Sequence, residues 1–83
     1  MAKRRLEIDD GIRKRMQVRL IEESQVEHVV NHPAHELLVR RRGRPIEGRF
    51  LYRGSSKPGR IPEVECQVRA DTGLYRVITL REV

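Results

Sequence analysis

The sequence of 83 residues has no tryptophan, a single cysteine and no long apolar segment. With one thiol, Cys66, the chain cannot form an internal disulfide bond or a metal site from cysteine alone, and this content fits a reducing cytoplasm. The longest apolar runs are only a few residues long, which is too short to cross a bilayer, so no contact with a membrane is predicted. The amino terminus, MAKRR, is basic but is followed by no apolar stretch, so no signal peptide is predicted.

Aromatic side chains are also scarce, at 4% of the residues, and hydrophobic residues make up 37%. The core must therefore be small and consist largely of Val, Leu and Ile. A chain of this length forms one domain, which we assign to residues 1–83. Because so small a core gives limited stability, we expect an additional stabilising contact, such as a homodimer or a bound partner.

Basic charge is concentrated in residues 40–60. This stretch has eight basic side chains and one acidic one, whereas the 39 residues before it have seven of each kind and the 23 after it have three basic and four acidic. Two aromatic residues, Phe50 and Tyr52, lie within it. Such a pattern is typical of a surface that contacts nucleic acid. We therefore predict RNA or another polyanion as the partner, bound by Arg40, Arg42, Arg44, Arg49, Arg53, Lys57 and Arg60.

The spacing of the apolar residues changes from a helical period to a period of two near His35. It predicts helices over residues 10–19 and 22–31, then strands over 36–42, 46–53, 63–70 and 74–81. Asp9 or Asp10 can cap the first helix. The second has a capping-box pattern, Ser24 with Glu27, but could equally begin at Glu22.

Short turns between successive strands predict an antiparallel meander. The predicted fold is therefore α+β, with two short N-terminal helices packed on one face of a four-stranded antiparallel β-meander. The other face is free to be polar. Residues 1–8 are predicted to form a flexible arm and residues 54–62 a mobile loop. The segment RRGRP, at 41–45, also resembles an AT-hook core, although the flanking strand patterns favour a tight turn there.

Four short motifs occur in the order found in a family of small bacterial domains of unknown function that resemble the RelE-type toxins. They are Arg15-Met16, Arg19-Leu20-Ile21, Val26 to Pro33 and Val77-Ile78-Thr79-Leu80, so the resemblance covers residues 9–81. It implies the fold of the barnase, colicin and RelE group of metal-independent ribonucleases, RNA contact on the open sheet face, and an antitoxin or other acidic protein as a partner. The histidine of that family's first helix falls at Gly11 here.

Two residues are the candidates for proton transfer if the domain cleaves RNA. They are His35, at the start of the first strand, and Tyr52. In this reaction the arginines of the sheet would stabilise the phosphorane formed by attack of the 2′-hydroxyl. No metal or other cofactor is predicted, and the pair His28 and His32 is expected to lie on the surface. The alternative to a ribonuclease is a non-catalytic module that binds nucleic acid or an acidic protein through its arginine-rich hairpin.

Overall fold

Two helices cover one face of a five-stranded mixed sheet in the computed structural model, which describes residues 3–54 and 62–82. In chain order the elements are β1 (Leu6–Glu7), α1 (Asp10–Val18), α2 (Glu23–Asn31), β2 (His35–Arg41), β3 (Arg44–Arg53), β4 (Pro62–Val68) and β5 (Tyr75–Glu82). The strand order across the sheet is β1-β5-β4-β3-β2. Neither helix in the described ranges has the length and apolarity needed to span a bilayer.

The predicted four-stranded antiparallel meander is wrong because the amino-terminal residues add a strand to it. Leu6 lies opposite Tyr75 in a parallel pairing of β1 with β5, and the Tyr75 N–H donates a hydrogen bond of 2.8 Å to the Arg5 carbonyl. Asn31 also fixes this segment, since its Oδ1 accepts from the Arg4 N–H at 2.7 Å and its Nδ2 donates to the Arg4 carbonyl. Residues 3–8 are therefore part of the fold rather than a free arm.

The helices begin at side-chain caps, as their sequences predict. Asp9 accepts a 2.9 Å hydrogen bond from a backbone N–H of the first turn of α1. For α2, the structure has the start at Glu22 rather than the Ser24–Glu27 box, and the Gln25 Oε1 accepts from the Glu22 N–H at 2.7 Å. Gln at the third helical position closes a capping box in the same way as Glu.

The core lies between the helices and the sheet. Both helices pack on the central strands, α1 on β5 and α2 on β3 and β4. Each fully buried aliphatic side chain contributes about 1.5–3 kcal/mol relative to an exposed one. The buried hydrophobic residues are Ile12, Met16, Ile21, Val26, Val29, Val30, Tyr52, Val64, Cys66, Val77 and Leu80.

Strand alternation places the remaining side chains on the sheet face opposite the helices, which we call the open face. The registers of the four antiparallel strands align its residues in rows across the sheet. Its members include His35, Leu37, Arg49, Leu51, Arg53, Glu63, Glu65, Gln67, Thr79 and Arg81.

Candidate nucleic-acid interface

Four exposed arginines surround the turn that joins β2 and β3; we call Arg40, Arg41, Arg42 and Arg44 the hairpin tip. Arg42 and Gly43 have φ values of 54° and 79°, the two positive angles that a two-residue type I′ hairpin requires. The Arg40 Nη1 donates to the Gly43 carbonyl at 3.2 Å. Within residues 3–54 and 62–82, no arginine of the tip forms an ion pair with an acidic side chain. The sequence predicts a tight turn between Arg42 and Ile46, whereas the structure has the turn at Arg42-Gly43, with Arg44 and Pro45 already in β3.

The hairpin tip extends beyond the part of the sheet that other strands support. In the described residues β4 pairs with β3 over Arg49–Arg53, whereas Arg44 and Pro45, next to the turn, pair with β2 alone. Arg41 and Arg44 lie directly opposite each other, an arrangement in which like charges destabilise a strand pair. An anion bound at the tip would relieve this repulsion.

Two other arginines of the predicted set lie on the open face, where acidic side chains compensate their charge. Arg49 forms an ion pair with Glu65 at 3.4 Å, and its Nε donates to the Gln67 Oε1 at 3.0 Å. Arg53 donates through Nε and Nη2 to one oxygen of Glu63, at 3.1 and 2.9 Å. A phosphate would have to compete with these carboxylates. The predicted binding residues in the described part of the chain therefore form two groups. The arginines of the hairpin tip have no acidic partner, whereas Arg49 and Arg53 each form an ion pair with a glutamate of β4.

A row of four charged or titratable side chains crosses the open face, one from each antiparallel strand. The registers place His35 opposite Arg53, Arg53 opposite Glu63 and Glu63 opposite Arg81. The Glu63 side chain is 8% exposed, and its Oε1 lies 3.9 Å from the Arg81 Nη1. The prediction from sequence missed Glu63 and Arg81. Their alternation with Val64 and Leu80 along β4 and β5 is the signal that could have found them.

Tyr52 lies on the opposite face from His35, so the two predicted proton-transfer residues do not converge on one site. Tyr52 is 1% exposed and its ring packs in the core. Burial raises the pKa of its hydroxyl well above 10, although the Arg4 guanidinium, 5.1 Å from the ring centroid, opposes this rise. The hydroxyl therefore stays neutral and is shielded from a ligand on the open face.

Other predicted features lie apart from the tip and the open face. Lys57, Arg60 and most of the loop predicted at 54–62 lie outside the described residues. A recess of about 530 Å³ between α2 and the amino-terminal segment is lined by Lys3, His28 and His32, among others. The two imidazole centroids are 5.1 Å apart, but no group of three or more metal-ligating side chains occurs in the part of the chain that the structure describes.

Comparisons with protein-family models, with curated proteins and with solved structures found no match to this chain. The resemblance to the RelE-type toxins, which depends on short motifs, stays a prediction.

Proposed function

We propose that this chain is a small RNA-interacting domain of toxin-like type, in which the hairpin tip makes the main contact with phosphates. The observation that carries this proposal is the group of four exposed arginines within five residues that have no acidic partner in the described residues. Guanidinium groups bind phosphate oxygens in a bidentate manner and keep their charge at any physiological pH. A cytoplasmic location is part of the proposal.

The contact is expected to be largely independent of base sequence. Tyr52 is buried, and Phe50 is partly buried against the core, with its ring stacked on that of Tyr52 at a centroid distance of 6.2 Å. Neither ring is therefore free to stack on an unpaired base. Arginines that contact phosphates position a nucleic acid but do not read its sequence.

The salt dependence of RNA binding tests this proposal. Each phosphate neutralised on a single strand contributes a slope of about −0.7 to a plot of log K against log salt concentration. The variant Arg41→Gln/Arg44→Gln keeps the Arg42-Gly43 turn and should make the slope less negative by about 1.4. Titration of a fluorescent RNA oligonucleotide at several salt concentrations, with duplex DNA in parallel, measures the effect.

The matched control is Lys14→Gln/Arg15→Gln, which removes the same net charge from exposed positions on α1. It should leave the slope nearly unchanged. Equal losses in the two variants would show that net charge, rather than the tip, determines binding. If duplex DNA binds more tightly than RNA, or if the tip variant retains the full slope, the proposal fails as stated. Binding only to acidic proteins would favour the alternative of a protein-binding module.

A metal-independent ribonuclease is the second candidate, and the row of His35, Arg53, Glu63 and Arg81 is the observation that favours it. The Cα atoms of His35 and Glu63 lie two strands apart, about 10 Å, with Arg53 between them, so a phosphate bound to the Arg53 guanidinium would lie between the two proton-transfer groups. In this mechanism Glu63 takes the proton of the 2′-hydroxyl as its oxygen bonds to phosphorus. The bond to the 5′-oxygen breaks, and His35 protonates that oxygen.

Cleavage of an RNA oligonucleotide in the presence of EDTA tests this second candidate. His35→Ala should abolish the cyclic-phosphate product and leave RNA binding by the tip unchanged, because His35 lies at the other end of β2. RNA that stays intact with the wild-type protein would leave the domain as a binding module. Tyr52→Phe should not change any cleavage, since the hydroxyl lies on the covered face.

A further inference from the structure

β2 forms a long exposed edge of the sheet. The helices pack on β3, β4 and β5, and among the described residues β2 pairs with β3 alone. Six of its seven residues are exposed, among them Leu37 at 47% and Leu38 at 51%. β1, at the other edge of the sheet, is only two residues long. The edge with enough free backbone to accept another strand is therefore β2.

The centre of β2 lacks the features by which proteins usually protect an edge strand. Such edges often have a lysine, a proline or a bulge that prevents pairing with another chain. The register irregularity between Leu38 and Arg40 places its extra residues, 46–49, on β3 and not on the edge strand. The central residues of β2 are Leu37, Leu38 and Val39, and the strand contains neither lysine nor proline. The charged side chains lie toward its ends, with Glu36 on one side of the apolar centre and Arg40 on the other. When a second copy of β2 runs antiparallel to the first, its charges are therefore complementary to those of the first copy.

We propose that two copies of this chain form a homodimer by antiparallel pairing of β2, with the two-fold axis at Leu38. In this register Leu38 faces Leu38 of the second copy, and Leu37 faces its Val39. Glu36 of each copy then lies directly opposite Arg40 of the other, so the dimer contains two cross-strand pairs of opposite charge. An interface of this kind is isologous and closes with two subunits.

The arrangement of charge favours antiparallel over parallel pairing of the two copies. A parallel dimer would place the two hairpin tips side by side and bring eight arginines together. In the antiparallel dimer the tips point in opposite directions. Arg42 of one copy would lie eight residues along the strands from Arg42 of the other, a separation of about 27 Å, which is well beyond the Debye length at physiological salt. This inference does not depend on the proposed RNA contact.

Sedimentation equilibrium and light scattering over a range of concentrations test the dimer. The wild-type chain should approach twice its monomer mass of 9.8 kDa. Leu38→Lys places two like charges at the two-fold axis and should raise the dissociation constant about tenfold or more. Val18→Lys, at an exposed apolar position on α1, is the matched control and should dimerise like the wild type. Circular dichroism spectra of both variants are the check that they are folded.

A charge exchange tests the register. Glu36→Arg and Arg40→Glu should each weaken the dimer, because each places like charges opposite one another, and the double variant should restore it. Glu36 also lies 3.8 Å from the Arg4 guanidinium, a contact that Glu36→Arg and the double variant both lose. Restoration therefore reports the contact between copies.

Three outcomes would overturn the proposal. One is a wild-type chain that remains monomeric at about 1 mM. Another is a dimer that Leu38→Lys leaves intact, which would place the interface elsewhere. The last is a double charge variant that dimerises no better than the single variants, which would refute the register. Slower amide exchange in β2 at high protein concentration would give independent support.

Discussion

Gly48 lies where β3 departs from regular pairing with β2. We predict that Gly48→Ala lowers the free energy of unfolding more than Gly73→Ala does, although the two glycines have the same φ. The register changes between the pair Leu38–Phe50 and the pair Arg40–Pro45, so residues 46–49 lie opposite a single residue of β2. Gly48 has a φ of 72°. A Cβ atom there would lie 2.8 Å from the Gln67 Nε2 and 3.3 Å from the Val68 carbonyl oxygen.

The expected loss in the free energy of unfolding has two contributions. A left-handed backbone costs a residue with a Cβ atom about 1–2 kcal/mol, and Gly73, whose φ is also 72°, should lose this amount on substitution since nothing lies near its Cβ position. At Gly48 the Gln67 side chain must also move, and its 3.1 Å hydrogen bond to the Glu47 carbonyl would be lost. That loss adds about 0.5–1.5 kcal/mol. Gly48→Ala should therefore destabilise the domain by about 1.5–3.5 kcal/mol.

Urea denaturation of the two variants measures the difference. With a slope of about 1–3 kcal/mol per molar urea for a small protein, the unfolding midpoint of Gly48→Ala should lie roughly 0.5 M below that of Gly73→Ala. The comparison cancels the backbone contribution because the two angles are the same. Equal midpoints would refute the close approach of Gly48 to β4 and, with it, the bulge at the base of the hairpin tip.

Glu63→Gln should lower the free energy of unfolding by about 1.5–3 kcal/mol because Arg53 loses its charge-assisted hydrogen bonds. The same change should tighten RNA binding at low salt by releasing that guanidinium; unchanged affinity would show that the open face does not contact RNA. Burial, aided by Glu65, raises the pKa of the Cys66 thiol to about 12 from its ordinary value of 9.0. The unfolded chain loses this proton first, so the contribution of Cys66 to stability should be fully present below about pH 9 and be lost between pH 9 and 12. Cys66→Ala should make the fall shallower when unfolding is measured at each pH, and an identical pH profile would exclude this linkage.

The helices and four of the strands could be predicted from the sequence because their signals are local. The first helix was expected at residues 10–19 and ends at Val18, and the last strand was expected at 74–81 and covers Tyr75–Glu82. β1 could not be found in this way, since two residues are too few to show a period. Its pairing joins Leu6 to Tyr75 across nearly the whole chain, and the hydrogen bonds that fix this segment join Arg4 to Asn31, which is 27 residues away.

The electrostatic prediction was limited by the same dependence on distant residues. Residues 40–60 have one acidic side chain, so the sequence predicts a single cationic surface formed by their arginines. The acids that neutralise Arg49 and Arg53 are Glu65 and Glu63, which belong to the following strand and reach them through the register of β4. Charge summed along the chain could not show which arginines have a neighbouring strand to supply a carboxylate.

That difference is the reason why we propose the hairpin tip, rather than the open face, as the contact surface for a polyanion. Where β4 runs beside β3, cross-strand acids compensate the arginines, and the pairs contribute to the stability of the sheet. β4 does not pair with the tip, so within the described residues Arg41 and Arg44 face only each other. Their compensating charge must come from salt ions or from a bound partner. A polyanion that binds only the folded hairpin would then stabilise the domain by linkage, most strongly at low ionic strength, where repulsion within the tip is least screened.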